Sequence, residues 1–180
     1  MALEKLSRHL AFKGEIVDLY KDTVKLPDGK IEEWDYVHHK KGGGACIVPV
    51  LPDGRILMIR QYRPAIDETM LELPAGAKDA PDEDPAETAR RELLEETGCS
   101  AESLQHLATI RTAAAYCNEM TDIYLADPAM PVQKQHLDEA EEITTEFYSL
   151  DELLAMISAG DLTDAKSVCG ILAYAAMRKD

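Results

Sequence analysis

Glu92, Glu95 and Glu96, with Arg91 beside them, are the residues of this 180-residue chain whose types and spacing could do chemistry. On a helix turning about 100° per residue, Glu95 and Glu96 fall about 60° to one side and about 40° to the other of Glu92. The three carboxylates then share one face. Like charges on one stripe repel and weaken an isolated helix. Hard divalent cations, which prefer oxygen ligands, turn that repulsion into attraction. The pattern points to a magnesium or manganese site. Arg91, four residues before Glu95, is placed to hold or partly neutralise it. A solvated, charge-rich helix face is the blander reading of such a run. It is set aside because cap, stop, basic partner and acidic stripe agree within one short window.

The elements that must position these groups are written around them. Asp84-Pro85-Ala86-Glu87 predicts a helix start, with Asp at the cap, Pro in the first turn and Glu three residues on. Gly98 predicts the stop, where a left-handed conformation is needed. Ala86, Ala89 and Leu93 lie roughly opposite the acidic stripe and are expected to pack inward. Before the helix, Leu73-Pro74-Ala75-Gly76 ends a strand. Pro74 and Gly76 interrupt regular geometry there and could aim a backbone carbonyl at the cations.

Taken together, residues 76–99 resemble the Nudix box, the loop–helix–loop signature of hydrolases acting on nucleoside diphosphates linked to another group. Gly76, Glu83, Arg91, Glu92, Leu93, Glu95, Glu96 and Gly98 fall on its pattern. Six residues rather than five separate Gly76 from Glu83, and Cys99 replaces the closing aliphatic residue. Arg60-Gln61-Tyr62-Arg63-Pro64-Ala65 and Leu71-Glu72-Leu73-Pro74-Ala75-Gly76 resemble the ADP-ribose pyrophosphatase branch, as do the residues from Gly160 to Ala173.

Composition sets the outer limits. The chain is long enough for one domain with a real core. Its 19 Lys and Arg against 34 Asp and Glu leave a net charge of −15, which disfavours nucleic acid and anionic membranes as partners. No apolar run is long enough to span a bilayer, and residues 1–15 show no signal-peptide pattern. Cys46, Cys99, Cys117 and Cys169 are widely spaced without a CxxC pair, so free thiols in a reducing cytoplasm are expected.

Along the chain, residues 15–20 and 34–39 read as strands flanking the turn Pro27-Asp28-Gly29-Lys30. Gly42-Gly43-Gly44 is the expected internal boundary, and lacks the residues of a phosphate loop. Residues 45–50 and 55–62 read as a second hairpin about Asp53-Gly54. Further strands are expected at residues 69–73, 104–111, 121–126 and 142–149. Ser149 and Glu152 form a capping box opening a helix that ends at Gly160. Residues 164–177 read as a last helix with Val168, Ile171 and Leu172 inward. Strands interrupted by a few helices indicate an α/β or α+β chain. The resemblance implies the finer architecture: an α/β/α sandwich with a mixed sheet (residues 42–180), preceded by a small N-terminal β subdomain (residues 1–41). In resembling enzymes that N-terminal region reaches across a partner's active site, which implies a homodimer.

Arg60 and Arg63 can donate charge-assisted hydrogen bonds to phosphate. Three residues apart on a strand, they are out of phase, and Arg63 is favoured as the one facing the site. Trp34, the single tryptophan, suits either stacking on a nucleobase or core packing. His38 and His39 point to opposite faces of a strand and are given no catalytic role. The resemblance implies Glu92 and Glu96 as principal Mg2+ or Mn2+ ligands, with Glu95 and the Ala75 carbonyl completing the set, Arg91 orienting the glutamates, and Glu72 near the substrate. It implies a general base on a loop well after the box, where residues 138–142 stand; Glu142 is favoured and Glu141 is second. Glu119, beside Asn118, is a weaker candidate for a polar contact.

The expected reaction is metal-dependent hydrolysis of a nucleoside diphosphate sugar, foremost ADP-ribose to AMP and ribose 5-phosphate. Ala114 stands where the branch carries a proline, so ADP-glucose and GDP-mannose stay open as substrates. A reading from another class is a non-catalytic nucleotide-sugar sensor. It is disfavoured because such modules often lose box glutamates, which this chain keeps.

Overall fold

The computed structural model describes residues 2–137 and 142–178. Its strands are β1 (Glu4–Lys13), β2 (Val17–Lys25), β3 (Ile31–His39), β4 (Gly43–Pro49), β5 (Ile56–Arg63), β6 (Glu68–Glu72), β7 (Ala75–Ala77), β8 (Cys99–Ser100), β9 (Gln105–Arg111), β10 (Met120–Ala126), β11 (Met130–Pro131) and β12 (Ile143–Tyr148). Three helices stand among the described residues: α1 (Pro85–Thr97), α2 (Leu150–Ala159) and α3 (Ala165–Met177).

Two sheets build the centre. One has the order β7-β4-β10-β9, with β4 and β10 parallel and the other neighbours antiparallel. The second, β12-β5-β6, is antiparallel throughout. Strands β4 and β5 read as nearly continuous apolar runs because both of their faces are covered. Cys46, Val48, Ile56 and Met58 pack to one side with Leu153, Ile171 and Tyr174. Ala45, Ile47, Leu57 and Ile59 pack to the other with Ala89 and Leu93 of α1. Helices thus flank the strands on both sides: an α/β/α sandwich with mixed strand pairing. A separate antiparallel sheet, β1-β2-β3, precedes it.

The expected hairpin at residues 45–62 does not form. Beyond the turn at Gly54, where Val50 bridges Ile56 and the Leu51 N–H donates to the Arg55 carbonyl at 2.8 Å, β4 and β5 diverge into different sheets. A strand–turn–strand pattern is local, whereas choice of partner is set by what covers each face. Strand β1 was not anticipated; it is exposed along its whole length and carries no half-buried alternation to read. Leu172, expected inward, is exposed, while Ile171 is fully buried.

The caps form as written. Asp84 Oδ1 accepts from the Ala86 N–H at 3.0 Å, and Gly98 at φ 69° closes α1 with its N–H on the Leu94 carbonyl. Ser149 and Glu152 make the reciprocal capping box of α2. The four cysteines are free thiols, and no helix is long and apolar enough to cross a membrane among the described residues.

Candidate active site

Helix α1 lies against β4 and β7, and its acidic face grips the short strand β7. Glu92 and Glu96 are only 8% and 2% exposed. The Ala75 N–H donates to Glu96 Oε2 at 2.9 Å. Glu92 presses so close to Gly76 that a Cβ there would stand 2.0 Å from its Oε1. Only glycine leaves room for that carboxylate. Arg91 ties the group together: its Nη1 donates to Glu92 Oε1 at 2.6 Å and Glu95 Oε2 at 3.3 Å, and its Nη2 to the Ala77 carbonyl at 3.0 Å. Burial alone would lower the Arg91 pKa, but Glu92 and Asp79 nearby raise it above its ordinary value. Glu83 accepts from the Asp79 N–H within the preceding loop.

The donor chemistry suits a hard cation. Glu92, Glu95 and Glu96 offer carboxylate oxygens with no thiol or imidazole among them, and Gly76 leaves the space that the Glu92 carboxylate occupies. Among the described residues no three His, Cys, Asp or Glu side chains converge on one centre; Arg91 bonds Glu92, and the Ala75 amide bonds Glu96.

A cleft of about 390 Å3 opens beside β7, lined by Ala75, Gly76 and Ala77. Arg63 and Lys166 bring positive charge to its wall. Glu72, 1% exposed, accepts both arms of the Arg63 fork at 2.6 Å and also bonds Lys166. Burial raises the Glu72 pKa, but the Arg63 hydrogen bond and the Lys166 charge outweigh it and hold the carboxyl below its ordinary value. For Lys166 burial lowers the pKa, and Asp164 and Glu72 more than restore it. Asp164 bonds Lys166 at 2.9 Å and caps α3 through the Ser167 N–H at 3.0 Å. Ser167 Oγ accepts from the Leu73 N–H at 2.7 Å, which pins the start of α3 beside the end of β6.

Of the expected site residues, the fold brings Glu92, Glu95, Glu96 and Arg91 of α1 together next to Ala75 of β7, with Arg63 on the wall of the adjoining cleft and Glu72 bonded to it. Arg60 faces the other way along β5. It bonds Glu146 at 2.5 Å and lines a second cleft of about 360 Å3 with Tyr62, Thr144 and Glu142. Trp34 stands exposed on β3, its Nε1 donating to Glu32 at 3.1 Å, outside the core. Glu141 lies outside the described residues. Sequence reading missed Lys166. Its signal was the capping Asp164 two residues earlier, but nothing local tied either to Glu72. Glu119, a weaker candidate, lines the main cleft with His39 and Thr112.

The NUDIX domain family matches residues 40–168, which include the acidic helix, β7 and Lys166. The chain is a Nudix hydrolase. An ADP-ribose pyrophosphatase of Bacillus subtilis is 32% identical over 167 residues, spanning 92% of this chain and 89% of its own. An ADP-ribose pyrophosphatase of Mycobacterium tuberculosis is 33% identical over 176 residues, spanning 97% of this Nudix hydrolase and 84% of its own length. In fold it is similar to a crystal structure of an ADP compounds hydrolase, with a TM-score of 0.85 at 21% identity, covering 99% of this chain and 95% of that one.

Proposed function

We propose that this Nudix hydrolase cleaves the diphosphate bond of a nucleoside diphosphate sugar, ADP-ribose first among them, to AMP and ribose 5-phosphate with Mg2+ or Mn2+. The observation that carries the reading is the arrangement about β7: the buried carboxylates of α1 grip the strand, and a cleft with Arg63 and Lys166 on its wall opens beside it. Similarity to ADP-ribose pyrophosphatases over nearly the whole chain supports the substrate class.

Glu92 and Glu96 would hold the cation, with Glu95 and the Ala75 carbonyl beside them. When bound, divalent ions neutralise phosphate charge and lower the pKa of water. Arg91 orients the glutamates and links them to β7. Arg63 spends two of its five N–H donors on Glu72. The remaining donors are its means of contact with phosphate oxygens, and Glu72 and Lys166 keep the guanidinium in place. Glu142 is proposed as the general base, with Glu141 second. Because Glu142 lines the second cleft beside Arg60 while Glu119 lines the main one, Glu142→Gln and Glu119→Gln form the deciding pair. Loss of the base lowers kcat far more than it changes KM.

Residues 1–41 are proposed as a dimerisation unit whose Trp34 side reaches a partner's substrate. Leu6, Leu10, Phe12, Ile16 and Trp34 are all exposed on or beside that sheet, an apolar surface that suits a second copy. The free thiols favour a cytoplasmic setting.

The test is a substrate panel with magnesium, scoring monophosphate release from ADP-ribose, ADP-glucose, GDP-mannose and 8-oxo-dGTP. ADP-ribose is expected to show the highest kcat/KM. A flat profile across all four would overturn the substrate class.

A further inference from the structure

The last carbonyls of a helix have no partner within it and must find one elsewhere. At the end of α1 they find it in one short segment, residues 132–137. The Gly98 carbonyl accepts from the Val132 N–H at 2.9 Å and the Gln133 N–H at 3.2 Å. The Glu95 carbonyl accepts from the His136 N–H at 2.9 Å, and the Glu96 carbonyl from the side-chain amide of Gln135. The approach is close: a Cβ on Gly98 would stand 2.2 Å from the Gln133 carbonyl oxygen. The bonds from Gln135 and His136 therefore land on the main chain of Glu95 and Glu96, whose side chains belong to the proposed cation set.

The segment also reaches the other half of the proposed machinery. Leu137 packs against the core cluster of Ile47, Ile59, Ala89 and Leu93, and it lines the second cleft with Glu142. Residues 132–136 are thus bound to the helix of the cation ligands, and residue 137 shares a cleft with the proposed base. Gln135 differs from its neighbours in how it holds on. Val132, Gln133 and His136 use main-chain N–H groups, which any residue but proline supplies. Gln135 uses its side chain, and α1 has no basic residue in its last turn to do the same work.

We propose that Gln135 is a positioning residue for the hydrolysis. Its bond to the Glu96 carbonyl sets the spacing between the cation-holding carboxylates of α1 and Glu142. The proposal rests on the reading of Glu142 as general base. Gln135 touches no substrate and acts only through the groups it spaces. A misplacement of about 1 Å costs rate, so loss of the amide acts on kcat more than on KM.

The test is steady-state kinetics with ADP-ribose and magnesium on wild type, Gln135→Met, Gln135→Lys, Glu142→Gln, and Gln135→Met combined with Glu142→Gln. Met keeps the length of the side chain without a donor. Lys restores a donor, and lysine side chains bond the last carbonyls of helices. Gln135→Met is expected to lower kcat by about tenfold, with KM and the magnesium concentration for half-maximal activity within about twofold of wild type. Gln135→Lys is expected to keep at least about half of the wild-type kcat. With Glu142→Gln in place, the Met substitution is expected to cost less than about twofold, because the group it positions is gone. If Gln135→Met does not fold, Gln135→Ala takes its place in both comparisons. An unchanged kcat in the single variant, a Lys variant as slow as Met, or an equal fall with and without Glu142 overturns the proposal and leaves the hydrolase reading intact. Full activity in Glu142→Gln does the same, since it removes the base that Gln135 would position. A wild type inert towards every nucleotide sugar overturns that reading and the positioning role with it.

Discussion

At the scale of single residues, Gly76 and Glu92 set the closest constraint of the site. A methyl group at residue 76 would meet the Glu92 carboxylate at 2.0 Å, and the carboxylate, being the end of a flexible side chain, would swing away. Gly76→Ala is therefore expected to keep its thermal midpoint within a few degrees. The magnesium concentration for half-maximal activity should rise at least about tenfold, read from a metal titration of the rate. Glu96→Gln is expected to lower kcat by at least about a hundredfold with an unchanged circular dichroism spectrum. Survival of activity would remove Glu96 from the metal set. The carboxylates and Arg91 were legible in the sequence because they lie within one helical turn and a half, where spacing alone fixes a shared face. Lys166 was not. It meets Glu72 across 94 positions of chain, so only the assembled fold shows what it faces.

At the scale of elements, the Glu72 carboxylate joins β5, β6 and α3 through Arg63 and Lys166. The linkage has a sign at each end of the pH scale. Glu72 has a lowered folded pKa, so its contribution is full above its unfolded value and lost as pH falls through the folded one. Lys166 has a raised folded pKa, so its contribution is full below its unfolded value and lost as pH rises through the folded one. The contribution of this pair is expected to be flat between about pH 5 and 10 and to fall on either side, read as the difference between wild type and Lys166→Met in urea melts across pH. Lys166→Met is expected to reduce stability by about 2 kcal/mol and to flatten the alkaline fall; Arg63 still partners the buried carboxylate, so the loss is less than for an orphaned charge. A thermal midpoint equal to wild type would remove Lys166 from the network. Helices were the most readable elements because their caps are written in three or four adjacent residues, as at Asp84 and Ser149. The strands β4 and β5 were found in place but given the wrong partner. Their apolar runs, covered on both faces, carry no alternation to say which sheet each one joins.

At the scale of the whole molecule, the two-sided sandwich was legible only through the likeness of its box to a known family, since composition and periodicity stop at a mixed α/β chain. Strand β1 shows why. Its ten residues are exposed throughout, so nothing among the described residues covers its apolar side chains, and the second copy proposed to cover them is not written in any local pattern. Sedimentation equilibrium is expected to give about 40 kDa, twice the 19.9 kDa chain. Leu10→Glu with Phe12→Glu is expected to return the mass of one chain; a wild type already at that mass would exclude the dimer. The central claim is that the acidic face of α1 holds the cations that make a diphosphate breakable. Its most direct test is a crystal grown with manganese and a non-hydrolysable ADP-ribose analogue, read by anomalous scattering. The account predicts manganese peaks against Glu92 and Glu96 beside Ala75, touching the diphosphate of a ligand that lies along Arg63. A ligand bound in the cleft with no peak at that helix face would contradict it.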